Sequence, residues 1–255
     1  MKERELLAEL ERRGLIEGVE DDAAQIDGLV VTQDALVEGV HFRFDVLSWH
    51  ELGYRAAAVN ISDLAASGAE PLALIVTLAA PDLEHAVELY EGIAEAGVPV
   101  RGGDTTAALQ VVLSVTALGR AERVPGRGGA RPGDLVVVTG PLGAAGAAFR
   151  QGRLVRPPRR IEEGKRLAAV GTAMCDISDG IGVDASHIAE RSGCRIVLDL
   201  DAIPLAPGAT RADLAFGEDY ELLATTGDPL DFPVVGRCEE GSGVEPELGG
   251  WEHFS

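Results

Sequence analysis

Asp63 stands in the run Ala56-Ala-Ala-Val-Asn-Ile-Ser-Asp-Leu-Ala-Ala66, the most apolar part of a predicted helix. A carboxylate buried there without a partner is disfavoured by several kcal/mol. Either it meets a cation or donors, or it lies on a solvated stripe. Asp176 and Asp179, in Cys175-Asp-Ile-Ser-Asp-Gly180, sit three apart at a predicted helix start, with Ser178 as a candidate cap. That spacing places two side chains on one face, about 5–6 Å apart at Cβ. Capping explains one acid, and two like charges together point to a bound cation. Asp22 follows Asp21 after a predicted helix, Asp34 follows the strand ending Val30-Val31-Thr32, and Asp104 closes Arg101-Gly-Gly-Asp104. Asp21-Asp22 and Asp104 each fit a plain turn, yet the two glycines before Asp104 also let the backbone approach a ligand closely. As a set, acids at strand ends and helix starts are the hard oxygen ligands that Mg²⁺ takes while it carries nucleotide phosphates.

Other phosphate chemistries are absent. Gly140-x-x-Gly143-x-x-Gly146 follows an apolar strand but lacks the dinucleotide spacing. Neither lysine follows the glycine that a Walker A loop requires, and there is no His-Arg-Asp or Asp-Phe-Gly. Nucleophile elbows and useful Cys–His pairings are missing too. If phosphate is transferred, metal and arginine must supply the electrostatics.

The elements that must position these acids alternate in both halves of the 255-residue chain. A helix over 1–17 offers Leu6, Leu7, Leu10 and Leu15. A strand is predicted over 26–32, a helix from His50 to Ser67 stopped by Gly68, and a buried strand from Leu72 to Leu78. A helix over 83–96 and a strand over 111–118 complete the first half. Residues 123–134, rich in Gly, Pro and Arg, read as a mobile linker. Beyond it come a strand over 135–139, helices following Gly146 and over 159–170, and a helix from near Ser178 to Arg191. Strands over 195–200 and 220–225 end the pattern. The expectation is an α+β protein: a first α/β domain over 1–122 and a second over 135–255.

A net charge of −20, with only two lysines, repels phosphate backbones and anionic lipid, so nucleic-acid and membrane partners are not expected. Three cysteines without metal-type spacing fit a reducing cytosol, as does a start without a signal-peptide pattern.

At these residues the sequence resembles the thiamine-monophosphate kinases of the aminoimidazole ribonucleotide synthetase-like superfamily. The matching pieces are Asp-Asp-Ala-Ala (21–24), Thr-Gln-Asp-Ala-Leu-Val-Glu-Gly-Val-His-Phe (32–42) and Ala-Val-Asn-Ile-Ser-Asp-Leu-Ala-Ala-Ser-Gly-Ala (58–69). Gly-Gly-Asp-Thr-Thr (102–106), Arg-Pro-Gly-Asp (131–134), Asp-Ile-Ser-Asp-Gly (176–180), Gly-Glu-Asp-Tyr-Glu-Leu (217–222) and Gly-Trp-Glu-His-Phe (250–254) follow in the family's order. The chain departs from the family at Glu20, Gln33 and Arg101, and a short 193–216 segment implies a trimmed second domain.

The resemblance implies transfer of a phosphoryl group from ATP to thiamine monophosphate, with several Mg²⁺ ions; direct in-line attack is the expected route, since such transfer is mainly positioning and charge neutralisation. It implies metal ligation by Asp22, Thr32, Gln33, Asp34, Asp63, Asp104, Asp176 and Asp179. ATP would be held by Gly103, Asp104, Arg127 and Ser178, and the thiamine substrate by His41, Glu218 and Trp251. His41 as a structural histidine and Trp251 as a C-terminal anchor are the plain alternatives. No residue is assigned as base or covalent nucleophile, because the acceptor phosphate is already ionised. A homodimer formed through first-domain strands is implied. The rival readings are another ATP-dependent enzyme of the superfamily, or an inactive nucleotide- and Mg²⁺-binding homologue.

Overall fold

The structure, a computed structural model, describes residues 3–19 and 21–251, so Glu20 and the Glu252-His253-Phe254 end of the tail motif lie outside the described residues. Helix α1 (Glu3–Arg12) is shorter than expected, because Gly14 turns at φ 67°. Its Leu6 and the following Leu15 remain exposed, so the predicted stripe is not buried.

The first sheet has the order β1-β2-β5-β3-β4. Its strands are β1 (Ala24–Ile26), β2 (Leu29–Val37), β3 (Glu70–Ala80), β4 (Val100–Ala107) and β5 (Val112–Arg120). The strand predicted over 26–32 is interrupted. Asp27 and Gly28 both take positive φ, and β1 folds back on β2 as a hairpin. Asp-Gly is the dipeptide that a two-residue hairpin turn favours. Helices α2 (Trp49–Ala66) and α3 (Ala86–Glu95) cover one face. Ser48 caps α2 by accepting the Glu51 N–H. The helices cross closely: a Cβ on Gly53 would lie 1.9 Å from the Leu89 carbonyl oxygen, and one on Gly92 1.9 Å from that of His50. The opposite face, carrying Gln33, Ser114 and Thr116, has no helix on it among the described residues.

The second sheet has the order β11-β8-β10-β6-β9-β7. It contains β6 (Leu135–Val138), β7 (Gly171–Asp176), β8 (Arg195–Leu198), β9 (Leu222–Thr226), β10 (Val234–Glu239) and β11 (Gly243–Glu245). Helices α4 (Ala144–Phe149), α5 (Ile161–Val170) and α6 (Ile181–Ser192) lie between its strands in sequence. Four strands, β4, β7, β10 and β11, were not expected from the sequence.

What positions the site is the burial of α2. Its N-terminal residues pack on the first sheet, while Ala65 and Ala66 join Leu167, Met174, Leu222 and Ala224 of the second half. Fully burying one such Leu or Met contributes roughly 1.5–3 kcal/mol, so this seam fixes α2 against both sheets. The 121–134 segment has no helix or strand, but it is not a loose linker. Gly126 accepts the Met174 N–H at 2.8 Å, Gly133 donates to Cys238 O at 2.9 Å, and Ser192 Oγ donates to Arg127 O at 3.2 Å.

Candidate active site

Three chain segments deliver carboxylates to one point. α2 brings Asp63, the end of β7 brings Asp176, and the turn before β1 brings Asp22. One oxygen of each lies within 4.8 Å of the others. Asp176 is buried and its two neighbours are partly buried. Hydroxyls brace them: Thr32 Oγ1 donates to Asp63 Oδ2 at 2.6 Å and Ser62 Oγ to Asp176 Oδ2 at 2.6 Å. Asp34, on the same face of β2 as Thr32, is held by its N–H donating to Asn60 Oδ1 at 3.0 Å.

This concentration of charge opposes ionisation. Burial raises the Asp63 carboxyl well above its ordinary range, and Asp176, Asp34 and Asp22 raise it further. Asp176 is pushed up to about 8, first by burial and then by Asp22. Burial also raises Asp22, against the pull of Arg127. Of the described ion pairs, one alone reaches the trio: Arg127 Nη2 lies 2.5 Å from Asp22 Oδ1. The Arg127 N–H also donates to Asp21 Oδ1 at 2.7 Å. Three converging carboxylates flanked by two hydroxyls are a hard-oxygen donor set short of positive charge, which fits Mg²⁺.

Asp179 enters differently from the expectation. Asp176 ends a strand and does not start a helix, and α6 begins at Ile181 after Gly180 at φ 108°. Ser178 is therefore no cap. Its Oγ donates to Asp179 Oδ2 at 3.2 Å, and the Asp179 N–H donates to buried Asp184 at 3.2 Å. The capping explanation fails for Asp176 because its carboxylate points into the seam. Gln33 is also displaced from the expected metal set. A strand alternates its faces, so Gln33 faces away from Thr32 and Asp34 and pairs with Ser114 and Thr116 of β5. Asp104 lies on the exposed edge strand β4, opposite Thr77, and is not among the clustered acids. A Cβ on Gly103, at φ 147°, would lie 1.7 Å from the Val76 carbonyl oxygen, so this glycine serves the approach of β4 to β3.

The predicted substrate residues gather around the 177–179 loop, except His41. Glu218 N–H donates to Ser178 O at 2.7 Å and Trp251 N–H to Asp179 O at 3.0 Å, with the Trp251 side chain half exposed. His41 Nδ1 accepts the Val37 N–H at 3.0 Å, closing the turn after β2. Sequence reading passed over Arg55, a buried cation on α2 whose Nη2 lies 2.5 Å from Glu218 Oε1. The signal was present: an arginine before an alanine run is as misplaced as Asp63.

Comparison with known proteins fits this geometry. Residues 20–121 match the family of AIR synthase related proteins, N-terminal domain, and residues 131–231 its C-terminal domain. Thiamine-monophosphate kinase of Aquifex aeolicus is 34% identical over 92% of both chains. That of Escherichia coli (strain K12) is 35% identical over 82% of this chain and 75% of the relative. The solved structure of AaThiL complexed with AMPPCP and TMP superposes with a TM-score of 0.91 at 31% identity, covering 99% of this chain and 97% of that one. A hydrogenase maturation protein, E. coli HypE, shares only the fold, at 20% identity and a TM-score of 0.68. With both domains matched and relatives above 30% identity along most of its length, the chain belongs to the thiamine-monophosphate kinases of the AIR synthase related family.

Proposed function

We propose that this chain transfers the γ-phosphoryl group of ATP to the phosphate of thiamine monophosphate, forming thiamine diphosphate in a Mg²⁺-dependent, direct in-line reaction. The observation that carries this reading is the meeting of Asp22, Asp63 and Asp176 beside the loop that holds Glu218 and Trp251. Asp22, Asp34, Asp63 and Asp176, with Thr32, would hold Mg²⁺, which when bound supplies positive charge to the polyphosphate. Asp179, next to that group in the loop, is a candidate outer ligand.

The chain's own residues then have separate tasks. Phosphoryl transfer asks for positioning and charge neutralisation more than covalent chemistry. Arg127, anchored at Asp21 and Asp22, is a cation at the polyphosphate end, and Ser178 with Gly103 and Asp104 would contact ATP. Glu218 offers a negative partner to the substrate's thiazolium, and Trp251 a face on which a cationic ring can stack. No general base is required. A homodimer through the first sheet is supported by its uncovered face and by β4, exposed along both faces. The three free, buried cysteines support a reducing, cytoplasmic setting.

The test is formation of thiamine diphosphate from ATP and thiamine monophosphate by the purified chain. Activity should need Mg²⁺ and vanish with chelator. Appreciable transfer in excess EDTA would refute the metal cluster, and nucleotide binding without product would leave an inactive homologue. Light scattering should give the mass of two chains, and a clean monomer would remove the dimer.

Trp251→Ala separates recognition from anchoring. The side chain is half exposed, so its removal should leave the melting temperature nearly unchanged. The KM for thiamine monophosphate should rise roughly tenfold, the value of about 1.4 kcal/mol for a cation–π contact, while that for ATP stays put. Equal losses for both substrates would make Trp251 a structural anchor.

A further inference from the structure

We propose that Arg55 is a positioning residue: it holds the Glu218 carboxylate in place to receive the organic cation of the substrate, an inference that rests on the phosphotransfer reading above. Arg55 is only 4% exposed. Its Nη2 lies 2.5 Å from Glu218 Oε1, its Nη1 donates to Val155 O at 3.4 Å, and its guanidinium carbon is 5.8 Å from the centroid of the Tyr220 ring. Burial disfavours its charge, but the neighbouring Glu218 carboxylate counters that, and the guanidinium stays protonated.

Stability is a poor explanation for this arrangement. The buried Arg55 Nε and Nη2 have no partner in hydrogen-bond geometry, Nη2 meeting Glu218 as an ion pair, and a buried ion pair is often no better than well-packed apolar side chains of the same size. The other partner is also strained. Glu218 and Tyr220 both take left-handed backbone, at φ 58° and 51°, which is disfavoured by roughly 1–2 kcal/mol for each non-glycine residue. Such strain persists where the surroundings over-determine it, and it clusters at ligand sites. Here the Glu218 and Tyr220 N–H groups are tied to Ser178 O and Ile177 O, the loop between Asp176 and Asp179. The turn is thus built against the acidic cluster, and Tyr220 feels the charges of both Asp34 and Asp176.

That location creates a problem that Arg55 solves. A loose carboxylate beside a group of acids is pushed away by them, or is captured by the cation they bind. Glu218 escapes both fates because the guanidinium fixes one of its oxygens from inside. Its side chain, 30% exposed, still presents a charged edge outward. The ligand class this suits is a cationic heteroaromatic ring, not a metal ion. Arg55 also lies on the same helix as Asp63, two turns away, so one rigid element sets the distance between substrate recognition and the metal-binding acids.

The experiment is a double-mutant cycle on the full chain with Arg55→Met, Glu218→Gln and the pair, with Arg55→Lys as the conservative variant. Arg55→Met should raise the KM for thiamine monophosphate roughly tenfold, within the range of coupled neighbours, and leave the KM for ATP unchanged. Arg55→Lys should recover most of the loss, and in the Glu218→Gln background Arg55→Met should add little. Independent, additive effects would overturn the proposal, as would equal losses for both substrates. If the methionine variant is insoluble, Arg55→Gln repeats the cycle. A crystal structure of the Arg55 variant gives a readout without turnover: Glu218 should leave its position, and an unmoved carboxylate refutes the idea. If the folded wild-type chain makes no thiamine diphosphate, the reaction reading falls, and the Glu218 position still decides the role of Arg55.

Discussion

Asp63→Asn should reduce turnover by roughly 10²- to 10³-fold, the scale on which one preorganised electrostatic group at a reacting centre is lost, while the folded chain stays intact. The replacement has the same shape, and its amide oxygen can still accept the Thr32 hydroxyl now bonded to Asp63 Oδ2 at 2.6 Å. What disappears is one negative charge among three carboxylates within 4.8 Å of one another. Without metal those charges repel, so the variant should melt at the same temperature as the wild type or above it. Mg²⁺ with ATP should stabilise the wild type against heat, since a ligand stabilises only the form it binds, and the variant should lose most of that gain. Turnover assays and melting curves with and without MgATP check both halves. Normal turnover would return Asp63 to a structural role.

The second large effect is a pH dependence that reverses with metal. The Asp176 carboxyl is pushed up to about 8 in the fold from an ordinary value of 3.8, chiefly by burial and then by Asp22. Between those values the folded chain binds more protons than the unfolded chain, so stability must fall as pH rises. Asp63 and Asp22 are raised as well and act in the same direction. The metal-free protein should therefore melt lower at pH 8.5 than at pH 5.5, by roughly 5 °C or more for a chain of this size. Mg²⁺ requires deprotonated ligands and releases protons on binding. Its affinity should tighten with rising pH until the carboxyls are ionised, and MgATP should restore the melting temperature at pH 8.5. Asp176→Asn should flatten the metal-free profile. A melting temperature that is level or rises with pH in EDTA would show that the cluster is not strained by its own charge.

Local pattern made much of the scaffold legible. The expected helix over 50–67 is α2, Trp49–Ala66, because Ser48 caps it and Gly68 ends it at φ 66°. The alternating and apolar runs of β3, β5 and β6 were readable for the same reason: burial on one face or both leaves a periodic trace. β4 left no such trace, since Arg101 to Ala107 is exposed on both faces. β11 is only three residues long. β7, Gly-Thr-Ala-Met-Cys-Asp, is buried almost throughout and has neither alternation nor helical period.

By itself the sequence determined the chemical types: acids lodged among apolar residues and glycines, almost no lysine to pair them, and a motif order that resembles one family along the chain. That Asp34 shares a strand face with Thr32 came only with the structure, where β2 runs on to Val37. Tertiary structure decided which acids meet. Residues 22, 63 and 176 are far apart in the chain, and they converge only because α2 is packed against both sheets at once. Gln33 turns away from these acids because β2 continues past it, and a strand has two faces of which only one looks at the seam. The packing of α2 also made a charged problem of Asp63, Asp22 and Asp176, because desolvation is a property of what surrounds a carboxylate and not of its neighbours in sequence.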